Sequence, residues 1–442
     1  MEKVFLKTFG CQMNFRDSEF VEGLLLEDGF RKAGSFDKAD VILFNSCSVR
    51  KHAEDRLFSN IAELAALKKK NPQLVIGLMG CAAQNYSDKI LEKSPLVDFV
   101  CGPGNETDIP AIIADIMENR CPVIATNKVN DKRPEFFPEY RSSSFKAYVS
   151  ISEGCGNFCS YCIVPYVRGR ERSREAKDVI REVKDLARRG FREITLLGQN
   201  VNSYGGYKIL KKGRSKGQGL IKLLTELNKI KGIERIRFLT SHPKDASPDL
   251  FRAMRDLGKV CEHLHLPAQS GSDRILKLMN RGYTSKRYLK LIEEYRKSAP
   301  GGSVTTDIIV GFPSETKKDF NDTRRLMEKV RFDGAFIFKY SPRPPARSAG
   351  FKDDVPKEIK QERLKTLLDL QCAISLEKNL PMKNKIAQIL IDGYNIKESQ
   401  VTGRTRAGKV AVFEGRKDLI GRFVDVRIES VSPHALKGRI VK

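Results

Sequence analysis

The sequence predicts an α/β protein in three parts: an N-terminal open parallel sheet covered by helices, a central partial (β/α) barrel, and a small C-terminal β-barrel. Three observations predict it. The first 130 residues alternate short apolar runs with helical patterns, the middle of the chain repeats a strand–helix unit six times, and the last sixty-odd residues break into short strands separated by glycine and polar turns.

In the first part, residues 4–8, 41–45 and 74–79 read as buried strands, and 18–28 and 53–70 as helices. A βαβα order demands a parallel sheet covered on both faces. Residues 127–144, rich in Pro, Ser and charge, read as a linker. The second series has strands at 147–151, 194–197, 235–239, 263–266, 304–310 and 335–340, with helices at 176–189, 220–230, 273–279, Ser285–Ser298 and Lys317–Val330. Six units running in one direction suggest a partial or full barrel. Pro342, Pro344 and Pro345 end the series, and a basic amphipathic helix over Lys357–Asn379 leads out of it. Strands at 386–391, 399–402, 411–413 and 423–430 suggest a small β-barrel. The expected domains are 1–130, 141–375 and 379–442.

A chain of 442 residues with 40% hydrophobic content can build two or three cores. No segment approaches the ~20 apolar residues of a membrane helix, and MEKVFLKTFGCQMN lacks the features of a signal peptide. The expected location is the cytoplasm, with no membrane partner. Lys+Arg number 80 against 55 Asp+Glu, a net charge of +25. So basic a protein usually faces a polyanion, nucleic acid above all, the bland alternative being a surplus that serves solubility. From Pro381 to Lys442 there are 13 Lys+Arg against 6 Asp+Glu, and a small basic β-barrel is a common RNA-binding shape. The run 208–216 (KILKKGRSK) reads as a solvated loop. With ten Cys, five His and no Trp, any metal site is thiolate-rich, which favours zinc or iron–sulfur over disulfides.

The strongest local signal is Cys155-Gly-Asn-Phe-Cys159-Ser-Tyr-Cys162, directly after the first strand of the second series. Three thiolates on a [4Fe–4S] cube leave one iron open. That iron can chelate the amino and carboxylate groups of S-adenosylmethionine (SAM), and one electron then cleaves a C–S bond to give a 5′-deoxyadenosyl radical. A loop at a strand C-terminus is where barrel active sites sit. The competing reading is a zinc loop, which wants a fourth ligand that has no candidate nearby. Cys11, Cys47 and Cys81 lie far apart, but each follows a strand of the first part, and parallel strand ends line one crevice. They converge there as a second three-thiol set or are three separately buried thiols. Gly10 and Gly80 favour a tight turn around a cofactor. Cys101, Cys121, Cys261 and Cys372 read as inert. His263 and His265 share one strand face, either lining the barrel interior or satisfied in the core. The cluster Arg168, Arg170, Arg172 and Arg174 either grips RNA phosphates or forms a salt-bridged helix start.

The cysteine motif, with Tyr161 before its last cysteine, resembles that of the radical SAM superfamily. The stretches TFGCQMN, NSCSVRKHAEDR, ISEGCGNFCSYCIVPYVRGRERSR, LLGQNVNSYG, HLHLPAQSGSDRILKLMNRGYT and FIFKYSPRPPARSA extend the resemblance along nearly the whole chain. It is to the methylthiotransferase branch, and within it to the tRNA-2-methylthio-N6-dimethylallyladenosine synthases. The resemblance implies an N-terminal methylthiotransferase domain, a radical SAM partial barrel and a C-terminal barrel of the TRAM type. It implies two [4Fe–4S] clusters, a SAM-binding one on Cys155, Cys159 and Cys162 and an auxiliary one on Cys11, Cys47 and Cys81. Tyr161, Gln199, Gly311 and Glu315 fall where the family contacts SAM, although each alone also fits an ordinary βα turn. The implied partners are the tRNA anticodon stem-loop, an electron donor such as a flavodoxin or ferredoxin, and a sulfur or cluster donor. The implied reaction adds a methylthio group at C2 of N6-isopentenyladenosine beside the anticodon, with one SAM methylating cluster-borne sulfur and another supplying the radical. The alternatives are a sibling enzyme acting on N6-threonylcarbamoyladenosine or on a ribosomal protein, and a non-catalytic RNA-binding protein carrying structural metal. The basic loop at 207–219 has no counterpart in the pattern.

Overall fold

The computed structural model describes residues 2–48, 51–126, 140–205 and 217–441. Residues 127–139 of the expected linker and 207–216 of the basic loop lie outside the described residues.

The first part is a parallel six-stranded sheet of β1 (Lys3–Phe9), β2 (Arg31–Lys32), β3 (Val41–Ser46), β4 (Val75–Met79), β5 (Phe99–Cys101) and β6 (Val123–Ala125), in the order β2-β1-β3-β4-β5-β6. Strands β3 and β4 are buried along their whole length, as a sheet covered on both faces requires. Apolar side chains pack on each face, Ile42, Phe44 and Leu57 on one, and Val41, Leu43 and Ile113 on the other. The strand order reverses between β1 and β3, and the crevice beyond the strand C-termini at such a switch point is where open α/β sheets bind ligands. Two details depart from expectation. The helix expected at 18–28 begins at Gln12, because its first turn carries the buried polar residues Asn14, Arg16 and Asp17 rather than an apolar stripe. The helix expected at 53–70 is two helices, Lys51–Glu63 and Ala65–Lys70, parted at Leu64, whose N–H bonds to the Ile61 carbonyl only three residues back.

The central part comprises β7 (Lys146–Ser150), a short hairpin of β8 (Ser152–Glu153) and β9 (Arg172–Ser173), then β10 (Glu193–Leu197), β11 (Arg235–Phe238), β12 (His263–His265), β13 (Ser303–Val310) and β14 (Gly334–Lys339). Strands β7, β10 and β11 form one parallel sheet and β12, β13 and β14 another. A single parallel bridge, Ile236 to Val260, joins them into an open arc. The outward positions Val149, Ile194, Leu196, Ile236, Leu264 and Val304 pack with Val183, Leu224 and Tyr288 of the surrounding helices into the largest core. The alternate, concave positions are polar: Lys146 and Glu193 face each other across one register pair, and Glu193 and Arg235 across the next. A helix not expected from the sequence, Pro248–Asp256, is capped by the Ser247 hydroxyl.

Strands β15 (Ile386–Asn395), β16 (Gln400–Arg404), β17 (Val410–Glu414), β18 (Phe423–Val431) and β19 (Leu436–Ile440) close a barrel in the order β15-β16-β17-β19-β18. Its core is Ile389, Ile391, Val401, Phe413, Val426 and Ile428. This barrel docks on the floor of the arc by polar contacts. Arg235 donates to the carbonyls of Arg404 (2.8 Å) and Gln388 (3.0 Å). Arg237 donates to the carbonyls of Arg406 and Thr405 at 2.8 Å and pairs with Glu193 at 3.0 Å. Arg406 pairs with Glu262 at 2.7 Å and Lys409 with Asp333 at 3.0 Å. Removing one partner from such a buried network strands the others. Arg237→Ala is therefore expected to destabilise the protein by about 3–5 kcal/mol, read as a lower urea midpoint by circular dichroism, whereas Arg439→Ala, in an exposed pair with Glu429, should change it by less than ~1 kcal/mol.

Candidate active site

The sheet brings Cys11, Cys47 and Cys81 together. They follow β1, β3 and β4, which are adjacent strands, at the switch point. The Cys47 amide donates to the Phe9 carbonyl at 2.8 Å, so the ends of β1 and β3 are level. Gly10 (φ +154°) lies so near that a Cβ there would stand 2.7 Å from Cys47 Cβ, and at Gly80 (φ +88°) a Cβ would stand 2.3 Å from Asn45 Oδ1. Only glycine lets the backbone turn this tightly under the three thiols. Below them Asn14, Asn45 and Ser18 interlock. Asn14 Nδ2 donates to Asn45 Oδ1 at 2.8 Å, Asn45 Nδ2 donates to Ser18 Oγ at 3.0 Å, and Asn14 Oδ1 accepts from the Cys11 thiol at 3.3 Å. A hydrogen bond from Cys47 draws the Cys11 thiol down to about 6, with the Arg168 charge adding to it against the opposing effect of burial. Burial raises Cys81.

The second triad lies in the loop after β7 and β8. Gly154 (φ +73°) starts it, and the Cys155 amide donates to the Gly169 carbonyl at 3.1 Å. Ser160 anchors the middle through Leu278 and Met279, and Asn280 holds the Phe158 carbonyl at 3.0 Å, where Phe158 adopts φ +46°. A phenylalanine in that region is strained, and such strain collects at functional sites. Burial pushes the Cys155 thiol up to about 11 and Cys162 up to about 12. Thiols so buried lose their protons when a metal draws the charge, as a cluster iron does. Arg281, itself buried, donates to Cys159 Sγ at 3.2 Å and to the Pro267 carbonyl at 3.0 Å. Nothing in NRGYT marks that arginine as buried, and sequence reasoning missed it.

The segment that follows the second triad reaches the first across the joint between the two parts. The short helix Val164–Val167 packs Ile163 and Val167 on Cys81. Arg168 then reaches back, Nε to Cys81 Sγ at 3.1 Å and Nη2 to Asp17 at 2.5 Å. A second tie lies beside Cys47, where Ser48 donates to Glu54 at 2.8 Å and Glu54 pairs with Arg343 at 2.6 Å. Of the arginine cluster, Arg168 and Arg174 are thus spent on internal pairs, the latter with Glu182 at 2.7 Å. Arg172 faces Glu153 at 3.8 Å, and only Arg170 is left exposed to meet phosphate. The RNA-gripping reading therefore fails for Arg168, which burial removes from any RNA.

Tyr161 packs on Ile275, Met279, Phe312 and Tyr340, which places it against the turn after β13. Gly311 opens that turn at φ +69°. Its amide donates to Glu315 at 2.7 Å, and Glu315 also pairs with Arg363 at 2.6 Å. The carboxylate thus shapes the turn. Gln199 Oε1 and Asn200 Oδ1, after β10, are buried without hydrogen-bond partners among the described residues, so each keeps a free acceptor. His263 and His265 lie on the concave face and both bond Thr305 Oγ1, at 2.9 and 3.0 Å. Cys101 is a core residue at the end of β5, Cys261 is buried, and Cys121 and Cys372 are exposed.

The donor sets fit clusters. Each triad offers three thiols, glycines that clear space at the first, and buried arginine at both. A cube of iron and sulfide takes one thiolate per iron and needs thiols spread more widely than a single ion does. Among the described residues no three His, Cys, Asp or Glu side chains are set to grip a single ion.

Comparison with known proteins defines the class first. Residues 149–327 match the radical SAM superfamily, residues 3–102 the uncharacterized protein family UPF0004, and residues 382–441 the TRAM domain. The fold is similar to that of the radical SAM methyltransferase TsrM from Kitasatospora setae, with a TM-score of 0.54 and 12% identity over 76% of this chain and 73% of that one. It is also similar to the cobalamin-dependent radical SAM enzyme OxsB, at 0.54 and 13% over 82% and 56%. This is a radical SAM protein, and an iron–sulfur cluster and SAM are its cofactors. The particular family follows from near-full-length relatives. Proteins named tRNA-2-methylthio-N(6)-dimethylallyladenosine synthase are 47% identical in Thermoanaerobacter sp. (strain X514), over 99% of this chain and 92% of that one. Those of Syntrophomonas wolfei subsp. wolfei and Carboxydothermus hydrogenoformans are 46% and 45% identical, over 99% of this chain and 97% and 99% of theirs. The chain belongs to the tRNA-2-methylthio-N(6)-dimethylallyladenosine synthase family.

The crowding at Gly80 gives a direct test. Gly80→Ala is expected to cost about 1–3 kcal/mol and to lower the iron retained after anaerobic reconstitution, measured with a ferrozine assay. A Gly29→Ala control, at φ +92° with nothing within 4 Å of the added Cβ, should keep the iron.

Proposed function

We propose that the chain is a tRNA methylthiotransferase that places a methylthio group on C2 of N6-dimethylallyladenosine beside the anticodon, using two [4Fe–4S] clusters. Cys155, Cys159 and Cys162 hold the cluster that binds SAM, and Cys11, Cys47 and Cys81 hold an auxiliary cluster. The observation that carries this reading is the second triad. A single radical-generating site needs only Cys155, Cys159 and Cys162, yet three more thiols gather at the switch point and are tied to the first loop through Arg168.

The first cluster supplies, with SAM, a carbon radical strong enough to take hydrogen from an aromatic C–H, and the second supplies the sulfur. The chain's own residues position the reactants. Tyr161 offers an aromatic face beside the Gly311 turn, whose glycine lets backbone approach SAM and whose shape Glu315 holds. Gln199 offers its unpartnered amide oxygen to the ammonium group of the SAM methionine moiety. Phe158 and Tyr166 stand exposed beside the cysteine loop, edge to face with ring centroids 6.0 Å apart. They are suited to stack with bases splayed from the anticodon loop. The target base lies in a single-stranded loop, so it can enter without unpairing a helix. The basic C-terminal barrel, fixed to the floor of the arc by Arg235 and Arg237, contacts phosphates of the anticodon stem. A flavodoxin or ferredoxin supplies electrons and a sulfur or cluster donor recharges the auxiliary site. The reaction takes place in the cytoplasm, and among the described residues no helix is long and apolar enough to cross a membrane.

The reconstituted protein, given reductant, SAM and isopentenylated tRNA, is expected to yield methylthio-isopentenyladenosine on nucleoside mass spectrometry. Cys155→Ala should abolish 5′-deoxyadenosine formation, whereas Cys47→Ala should keep it and lose the methylthio product. Full product from Cys47→Ala would remove the auxiliary triad from the mechanism, and SAM cleavage without product on this tRNA would redirect the substrate to threonylcarbamoyladenosine or a ribosomal protein.

A further inference from the structure

We infer that Arg168 sets the reduction potential of the auxiliary cluster and that Asp17 offsets part of its effect. The inference rests on Cys11, Cys47 and Cys81 holding that cluster.

Arg168 belongs to the radical SAM part of the chain, yet its guanidinium lies inside the first part. The side chain is 3% exposed and its partner Asp17 2%. Nε donates to Cys81 Sγ at 3.1 Å, Nη2 to Asp17 Oδ2 at 2.5 Å, and Nη1 is buried with no hydrogen bond among the described residues. A guanidinium does not give up its proton, so a full positive charge stands permanently against one ligand sulfur. Hydrogen bonds to sulfur, nearby charge and burial are the levers a protein has over a cluster's potential, and all three coincide here. A cation at the ligand sulfur favours the reduced, more negative cluster, and the dry surroundings strengthen its effect. Asp17 lies beyond the guanidinium, pairs with it, and cancels part of its field. The chain could hold its two parts together with Glu54–Arg343 and Arg16–Glu182, neither of which bonds a cysteine. A purely structural tie needs no bond to Cys81.

Arg281 repeats the arrangement at the other triad without the carboxylate. It donates to Cys159 Sγ at 3.2 Å, and its remaining hydrogen bonds go to the Tyr283 hydroxyl and the Pro267 carbonyl. Each triad therefore has its own buried cation on one sulfur, and among the described residues only the auxiliary one is partnered by an acid. A charge substitution at Arg168 should move one potential and leave the other in place.

The test is a reductive titration of the full reconstituted chain followed by electron paramagnetic resonance, with iron counted in the same samples. Arg168→Gln is expected to shift the auxiliary potential to more negative values, Arg168→Lys to shift it less, and Asp17→Asn to shift it to more positive values. The SAM-binding cluster should keep its potential in all three. Opposite shifts are what a charge effect requires, and loss of packing cannot produce them. About eight irons per chain with the auxiliary potential unmoved in Arg168→Gln and Asp17→Asn overturns the inference alone. About four irons in the unsubstituted protein overturns the two-cluster reading and the inference with it. If Arg168→Gln loses its auxiliary iron, Asp17→Asn, which keeps the guanidinium, decides by the sign of its shift, and loss of iron there too makes the pair structural and overturns the inference.

Discussion

The guanidinium of Arg168, enclosed between Asp17 and Cys81, is the contact on which the arrangement of this molecule depends. Leaving a buried charge without its partner costs several kcal/mol, so the first part of the chain cannot swing away from the second without exposing that penalty. The ties at Glu54–Arg343 and Arg16–Glu182 act in the same direction. Two three-thiol sets that are remote in sequence are thereby held on either side of one joint. Sulfur transfer to a carbon activated elsewhere requires that kind of fixed relation between donor and radical source.

The C-terminal barrel is held by a different principle. Its docking surface on the arc is made of arginines that meet backbone carbonyls, together with the pairs Arg406–Glu262 and Lys409–Asp333. The concave face of the arc is polar near its floor, and the turn that carries Thr405, Arg406 and Lys409 satisfies those groups as water otherwise would. Backbone carbonyls do not vary with side-chain substitution, so the barrel's surface is free to change for RNA contact while its seat stays fixed.

Much of this was legible in the sequence because hydrophobic periodicity and cysteine spacing are local signals. Helices Ser285–Ser298, Lys317–Val330 and Lys357–Asn379 fall where the pattern put them. The level ends of three parallel strands bring Cys11, Cys47 and Cys81 together without any further information. The pattern failed where function displaces apolar residues. The first turn of the helix that starts at Gln12 buries Asn14, Arg16 and Asp17, so its stripe is polar and the apolar pattern begins only six residues further on. Arg168 and Arg281 carry no mark of burial in sequence, since an arginine beside glycine reads as exposed until its partners are known. Glu315 illustrates the converse. Its position matched a ligand-contacting turn, and the structure uses its carboxylate to shape that turn through Gly311 and Arg363.

The central claim is that two separate triads each carry a cluster, and the most direct test is a crystal structure of the anaerobically reconstituted protein with data collected at the iron absorption edge. The account predicts two resolved anomalous peaks, one within bonding distance of Cys11, Cys47 and Cys81 and the other of Cys155, Cys159 and Cys162. A single peak at the second triad, or a peak that takes Cys101 as a ligand in place of one of the three, would contradict it.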